Sequence, residues 1–186
     1  DISMQKKQIP LRFEGDPQTP FFSTLRMEKD ELLRLKAEAK RRSVTFNDMV
    51  LCAYIRALHR KTGGDRMVMP CPVDLRKYLP AGQNHGICNL TSNYICDIMV
   101  SDGDPAERTL DQVSRQMKAQ KESLSSLKSM ISMELSFRLI PFCVMQSAFN
   151  RVFTIPVVSF TNLGVIDRDT LAFGNVCVMD AYLTGA

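Results

Sequence analysis

Pro72-Val73-Asp74-Leu75-Arg76-Lys77-Tyr78-Leu79, followed by Gly86-Ile87-Cys88-Asn89-Leu90-Thr91-Ser92-Asn93-Tyr94, is the stretch on which the reading of this chain turns. Each half joins an apolar, strand-like run to a tight polar turn of Asp, Arg, Asn or Gly. A third segment, Ser159-Phe160-Thr161-Asn162-Leu163-Gly164-Val165-Ile166-Asp167, repeats the arrangement. Polar groups gathered at strand ends commonly build or border a site. Asp74 and Arg76 stand two apart, so extended geometry puts them on one face. They either pair locally, which is worth little when exposed, or the arginine meets an acid from elsewhere and becomes a structural keystone. Asn89, Thr91, Ser92, Asn93 and Asn162 either satisfy local backbone groups or form a polar lining that positions a carbonyl or an amide-bearing arm.

Outward from these turns the chain alternates helix and strand irregularly. Residues 1–20 read as an irregular arm, interrupted by Pro10, Gly15, Pro17 and Pro20. Phe21 to Met27 reads as a short strand. Glu28 to Arg42 reads as a helix with Leu32, Leu35 and Ala39 on one face and the pairs Asp30/Arg34 and Glu38/Arg42 on the exposed side. A second helix opens at Thr45 with Asp48 completing a capping box, carries the stripe Val50, Ala53, Tyr54, Ala57, Leu58 toward a core, and ends at Gly63-Gly64. Met67 to Val73 and Leu90 to Val100 are strand-like. Asp104-Pro105-Ala106-Glu107 starts a helix with Asp104 as its N-cap, continued by Leu110, Val113 and Met117. Leu124 to Leu139 is helical, Pro141 opens a further short helix to about Phe153, and Ile155 to Phe160 and Val176 to Leu183 read as strands. The pattern predicts an α/β fold, a two-layer sandwich of mixed sheet and helices, rather than a doubly wound Rossmann sheet. We expect an arm or linker over 1–20 and one lobe over 21–186.

The 186 residues carry 45% hydrophobic and 24% charged residues, an ordinary globular composition, with a net charge of +4. Basic residues are interspersed with acids, which argues against a nucleic-acid partner, and no apolar run is long enough for a membrane span. The cysteines at 52, 71, 88, 96, 143 and 177 form no Cys-x-x-Cys pair and mostly lie in apolar runs; they read as buried, reduced thiols of a cytoplasmic protein. With only two histidines, a structural zinc site is not expected. His59, beside Arg56, Arg60 and a helix end, reads as a solvated or capping residue. His85 has no flanking acid to set its tautomer. No nucleophile–base–acid set is present, so the chain looks like part of a catalytic machine without its catalytic residue. A start at Asp1 and a stop directly after an apparent strand suggest a segment of a longer protein.

Val44-Thr45-Phe46-Asn47-Asp48 leading into Leu51 to Leu58, then Pro72-Val73-Asp74-Leu75-Arg76, Asn89-Leu90-Thr91-Ser92-Asn93 and Thr161-Asn162-Leu163-Gly164, in this order, resemble the C-terminal half of the chloramphenicol acetyltransferase-like superfamily. The nearest branches are alcohol O-acetyltransferases, wax ester synthase-type acyltransferases and nonribosomal peptide condensation domains. The likeness runs from about Ile9 to the last residue. It implies two similar lobes in a V, with a tunnel admitting an acyl thioester from one face and an acceptor from the other. The family's His-His-x-x-x-Asp-Gly motif, whose second histidine is the general base, occurs nowhere in this chain. It is therefore expected in the missing N-terminal lobe. Carried over, Arg76 is similar to the arginine that ion-pairs with the aspartate of that motif. Asp74, Asn89, Thr91, Ser92 and Asn93 resemble residues near the tunnel, and Asn162 with Gly164 the turn bordering it. The implied donor is acyl-CoA or a phosphopantetheinyl thioester, with no tightly bound cofactor and no metal. The acceptor is an alcohol or amine. A carrier protein is a further implied partner. The alternatives are a non-catalytic acyltransferase-like docking module, and an assembly in which another chain supplies the histidine.

Overall fold

The computed structural model describes residues 19, 22–80, 82, 89–123, 125–152, 158–165, 172–174 and 176–177. Helices α1 (Lys29–Arg41) and α2 (Phe46–Thr62) precede strand β1 (Arg66–Asp74), a 3-10 turn (Leu75–Tyr78) and strand β2 (Thr91–Met99). Then come α3 (Ala106–Glu122), α4 (Ser125–Leu139), α5 (Phe142–Val152) and the short strands β3 (Ala172–Phe173) and β4 (Val176–Cys177). β1 and β2 pair antiparallel from Arg66↔Met99 to Asp74↔Thr91, and β3 pairs antiparallel with β4. The chain is a mixed α/β structure, as its pattern of elements predicts.

Local chemistry sets the boundaries. Thr45 Oγ1 accepts from the Asp48 amide at 3.1 Å and Asp48 Oδ2 from the Thr45 amide at 3.0 Å, the reciprocal box that starts α2. Gly63, at φ 68°, ends it in the left-handed region and donates its amide to the His59 carbonyl at 2.8 Å. β1 carries Pro70 and Pro72, opposite Ile95 and Asn93. The Pro70 carbonyl accepts from the Phe160 amide at 2.9 Å on the edge away from β2, so this proline's missing N–H falls outside the β1–β2 ladder. The far edge of β2 is closed by side chains instead. Gln120 accepts from the Ile95 amide at 2.7 Å and donates to the Ile95 carbonyl at 2.5 Å; Gln116 does the same for Asp97 at 2.8 and 2.5 Å. Four helical residues rise about 6 Å and two strand residues about 6.8 Å, so amides one turn apart on α3 meet alternate residues of β2.

Among the described residues one core lies between these elements. Leu51 and Ile55 of α2, Met67, Met69 and Cys71 of β1, Tyr94, Cys96, Ile98 and Val100 along β2, and Leu110, Val113 and Met117 of α3 are buried together. Each large aliphatic side chain there contributes about 1.5–3 kcal/mol by leaving water.

Several expectations need correction. Residues 22–28 take no strand geometry and Leu25 is 96% exposed, because a strand needs a paired edge that local sequence cannot supply. On α2 the buried face is Asp48, Leu51, Cys52, Ile55 and His59, while Val50, Ala53, Tyr54 and Ala57 lie exposed. His59 is buried, not solvated: its Nδ1 lies 2.8 Å from the Gly64 carbonyl and its Nε2 3.2 Å from Asp102 Oδ1. Pro105, not Asp104, is the N-cap of α3; Asp104 accepts from the Ser101 amide and pairs with Arg108. Cys143 is exposed, whereas Cys52, Cys71 and Cys96 are buried. Residues 158–160 lie beside β1 without forming a strand. The arm over 1–20 (Thr19 excepted), His85, Cys88 and the strand positions 155–157 and 178–183 lie outside the described residues.

Candidate functional site

The polar turns converge where β1 leaves the sheet. Asp74 caps the 3-10 turn, its Oδ1 accepting from the Arg76 amide at 2.9 Å and from Arg76 Nη1 at 3.2 Å. The Leu75 amide bonds the Leu90 carbonyl at 2.8 Å, tying this turn to the start of β2, where Asn89 Oδ1 accepts from the Thr91 amide at 3.2 Å. Register then sets Thr91 opposite Asp74, Ser92 opposite Val73 and Asn93 opposite Pro72. Ser92 is buried, and Asn89, Thr91 and Asn93 are exposed.

Next to this end of the sheet opens a cleft of ≈ 270 Å³. Its apolar walls are Cys71, Pro72, Val73, Met117 and Phe160, and its polar lining is Asn47, Tyr94, Asn162, Gly164, Lys77 and Lys121. The third polar segment forms one rim: Asn162 Nδ2 donates to Asn47 Oδ1 at 3.0 Å, and Asn162 Oδ1 accepts from the Gly164 amide at 2.8 Å. Gly164 sits at φ 74°, where a side chain would be strained. Of the residues proposed from sequence, Asn162 and Gly164 therefore line the cleft. Asp74, Arg76, Asn89, Thr91, Ser92 and Asn93 sit on the adjoining turn and strand rather than in its lining.

Lys77 and Lys121 were not anticipated. The Lys77 ammonium donates to Tyr94 Oη at 3.2 Å and stands 4.8 Å from the Tyr78 ring centroid and 5.5 Å from that of Tyr94. The two tyrosine hydroxyls are 3.3 Å apart. Burial disfavours the ammonium, but hydrogen bonds to Tyr94 and Tyr78 outweigh it, and the Lys77 pKa lies above its ordinary value. Lys77 stands inside the stretch quoted first, so proximity to Asp74 could have flagged it. Lys121 comes from α3, and nothing in its local sequence marks it.

The lining contains no imidazole and no carboxylate among the described residues. Its thiol, Cys71, is pushed up to about 12 by burial, and it is protonated at neutral pH. His59 is engaged elsewhere, as described above. This arrangement can bind and orient, while proton abstraction from an alcohol or amine needs a base from outside the described cleft.

A family model described as WS/DGAT C-terminal domain matches residues 88–182, just over half of the chain. No curated protein is similar to the chain at a significant level. Among solved structures, the first condensation domain of the CDA synthetase is 22% identical over 46% of this chain and 19% of that one, with a TM-score of 0.41. A structure on condensation domain-mediated chain release from the enacyloxin polyketide synthase gives 25% identity, 46% and 16% coverage and a TM-score of 0.39. The condensation domain of the Monacolin K polyketide synthase MokA gives 14% identity over 75% of this chain and 27% of that one, with a TM-score of 0.46. The chain thus spans about a quarter or less of the length of these structures.

Proposed function

Because the chain belongs to the WS/DGAT C-terminal domain family, and is thereby an acyltransferase-type domain, we propose that it forms the C-terminal lobe of an enzyme that moves an acyl group from a CoA or carrier-protein thioester to an alcohol or amine. The general base is the second histidine of a His-His-x-x-x-Asp-Gly motif on an N-terminal lobe that this sequence does not contain. The observation that carries this reading is the cleft beside Asp74–Tyr78, with an apolar wall, two ammonium groups and, among the described residues, no base. A lobe that holds substrate while another delivers the base would have such a lining. Transfer is direct: the acceptor's oxygen or nitrogen loses its proton to the imidazole, attacks the thioester carbonyl, and the thiol of the donor leaves with that proton.

Arg76 carries the contact between lobes in this reading. Its exposed pair with Asp74 is worth about 0–1 kcal/mol, so the aspartate of the upstream motif competes for the guanidinium. The buried thiols support a reducing, cytoplasmic location. The same lining, which has no base among the described residues, also suits a second reading, a non-catalytic module that docks a carrier protein.

Activity separates the two. The chain alone should release no free thiol from an acyl thioester in the presence of an alcohol or amine. Joined to its upstream lobe it should turn over, and alanine at the motif's second histidine should abolish turnover. Arg76→Ala in the joined protein should lower turnover or loosen the lobes; unchanged folding and rate remove the keystone role. Turnover by the chain alone, or an upstream region without the motif, overturns the catalytic reading.

A further inference from the structure

Lys77 and Lys121 are the only charged residues in the described lining of the cleft, and both are cationic. Elsewhere several described arginines sit against acids: Arg41 and Arg42 on Glu38, Arg66 on Asp97, Arg108 on Asp104, Arg138 on Glu134. At the cleft the partners of Lys77 are uncharged tyrosine hydroxyls and ring faces, which hold the ammonium in place without neutralising it. An ammonium has three N–H donors, and the hydrogen bonds of Lys77 to Tyr94 and Tyr78 leave a third for a ligand. Two like charges beside a low-dielectric wall focus a positive potential into the space between, and Pro72, Met117 and Phe160 provide such a wall. Lysine meets phosphate as a compact point charge. The apolar wall suits an uncharged chain attached to that charge.

We propose that Lys77 and Lys121 form a phosphate-binding subsite, taking the phosphoryl group of a chain-borne phosphate ester whose uncharged arm lies along Pro72, Met117 and Phe160. The inference rests on the acyl-thioester reading of the cleft and assigns its anionic anchor. No bond is made or broken here; the two ammonium groups hold the ester while the chemistry occurs at the far end of its arm.

The test compares 4′-phosphopantetheine with pantetheine, which lacks only the phosphate, by titration calorimetry on the chain in low-salt buffer. The phosphorylated compound should bind about tenfold more tightly or better, as a charge-assisted contact implies. That advantage should shrink as salt is raised. Lys77→Met and Lys121→Met should each remove most of the advantage and leave pantetheine binding unchanged. Lys121 is exposed on α3, so its variant guards against a folding defect at Lys77, and Lys77→Arg should retain part of the discrimination. CoA identifies the source: equal affinity for CoA and 4′-phosphopantetheine means that the shared phosphate is read, as on a carrier protein. Tighter CoA binding that both methionine variants abolish means that the CoA phosphates also reach the pair. Equal binding of pantetheine and its phosphate, or full discrimination in both methionine variants, overturns the subsite. If acyl transfer by the joined lobes survives either outcome, the subsite alone has failed; if transfer is absent as well, the acyltransferase reading fails with it.

Discussion

Glu38 accepts from Arg41 Nε at 2.7 Å and from Arg42 Nε at 2.5 Å, and Arg42 reaches on to Glu107 of α3 at 3.4 Å. The hydrogen bonds from Arg41 and Arg42 lower the Glu38 pKa to about 2 from an ordinary 4.5. A depressed carboxyl contributes stability that is fully present above its unfolded pKa and is lost as pH falls through the folded one. Its share should therefore fade between about pH 4.5 and pH 2. Denaturant midpoints of the parent chain and Glu38→Gln, measured from pH 6 down through that window, should differ most near pH 6 and converge toward pH 2. A pH-independent gap would show that the ionised Glu38 carboxylate contributes nothing, and no gap at all that the network contributes nothing. The i,i+4 spacing announced the Glu38/Arg42 pair in the sequence. The same rule failed for Asp30/Arg34, where the guanidinium lies 3.4 Å from the Asp30 backbone carbonyl. Spacing puts two residues on one face, while the rotamer chooses which oxygen is met.

Strand β2 shows what a helix can do for a sheet edge. Its outer N–H and C=O groups at Ile95 and Asp97 are occupied by Gln120 and Gln116, so α3 occupies positions where a further strand would pair. The double variant Gln116→Ala/Gln120→Ala leaves four backbone groups without these partners. It should lower unfolding free energy by about 1–3 kcal/mol per site, and urea melts would read this. The opened edge should also raise self-association on size exclusion. A stable, monomeric double variant would mean that water serves the edge equally well. The start and end of α2, at Thr45 with Asp48 and at Gly63, were legible in the sequence because capping is a contact between near neighbours. The phase of α2 was not. Leu51 and Ile55 point to the core and Val50 and Tyr54 away from it, so two apolar stripes of the same period run along one helix. Periodicity identifies the helix; only the position of β1 and α3 decides which stripe is buried.

At the scale of the molecule, the α/β class was readable because runs of period 2 and 3.6 are set locally, and the strand–turn–strand of Asp74 to Asn93 was readable because polar turns interrupt them. The cleft was half readable: Asn162 and Gly164 stand in a turn, whereas Lys121 enters only when α3 folds back on β2. What least resembles a finished surface is α4 with α5. Ile131, Leu135, Leu139 and Phe142 are 67%, 56%, 72% and 68% exposed, and the apolar residues of α4 are not gathered on one side. No described helix is long and apolar enough to cross a membrane. Large apolar side chains left this exposed on neighbouring helices mark contact with something else. If the chain is one lobe of two, part of this surface is covered in the joined protein. The chain alone should then bind a fluorescent apolar probe such as anilinonaphthalene sulfonate strongly, and Leu135→Ser/Leu139→Ser should reduce the signal. Fusion to the upstream lobe should reduce it severalfold per mole, with the serine pair then having little further effect. Equal fluorescence from the lone and the joined chain, still sensitive to the serine pair, would mean that α4 stays uncovered and that the lobes meet elsewhere.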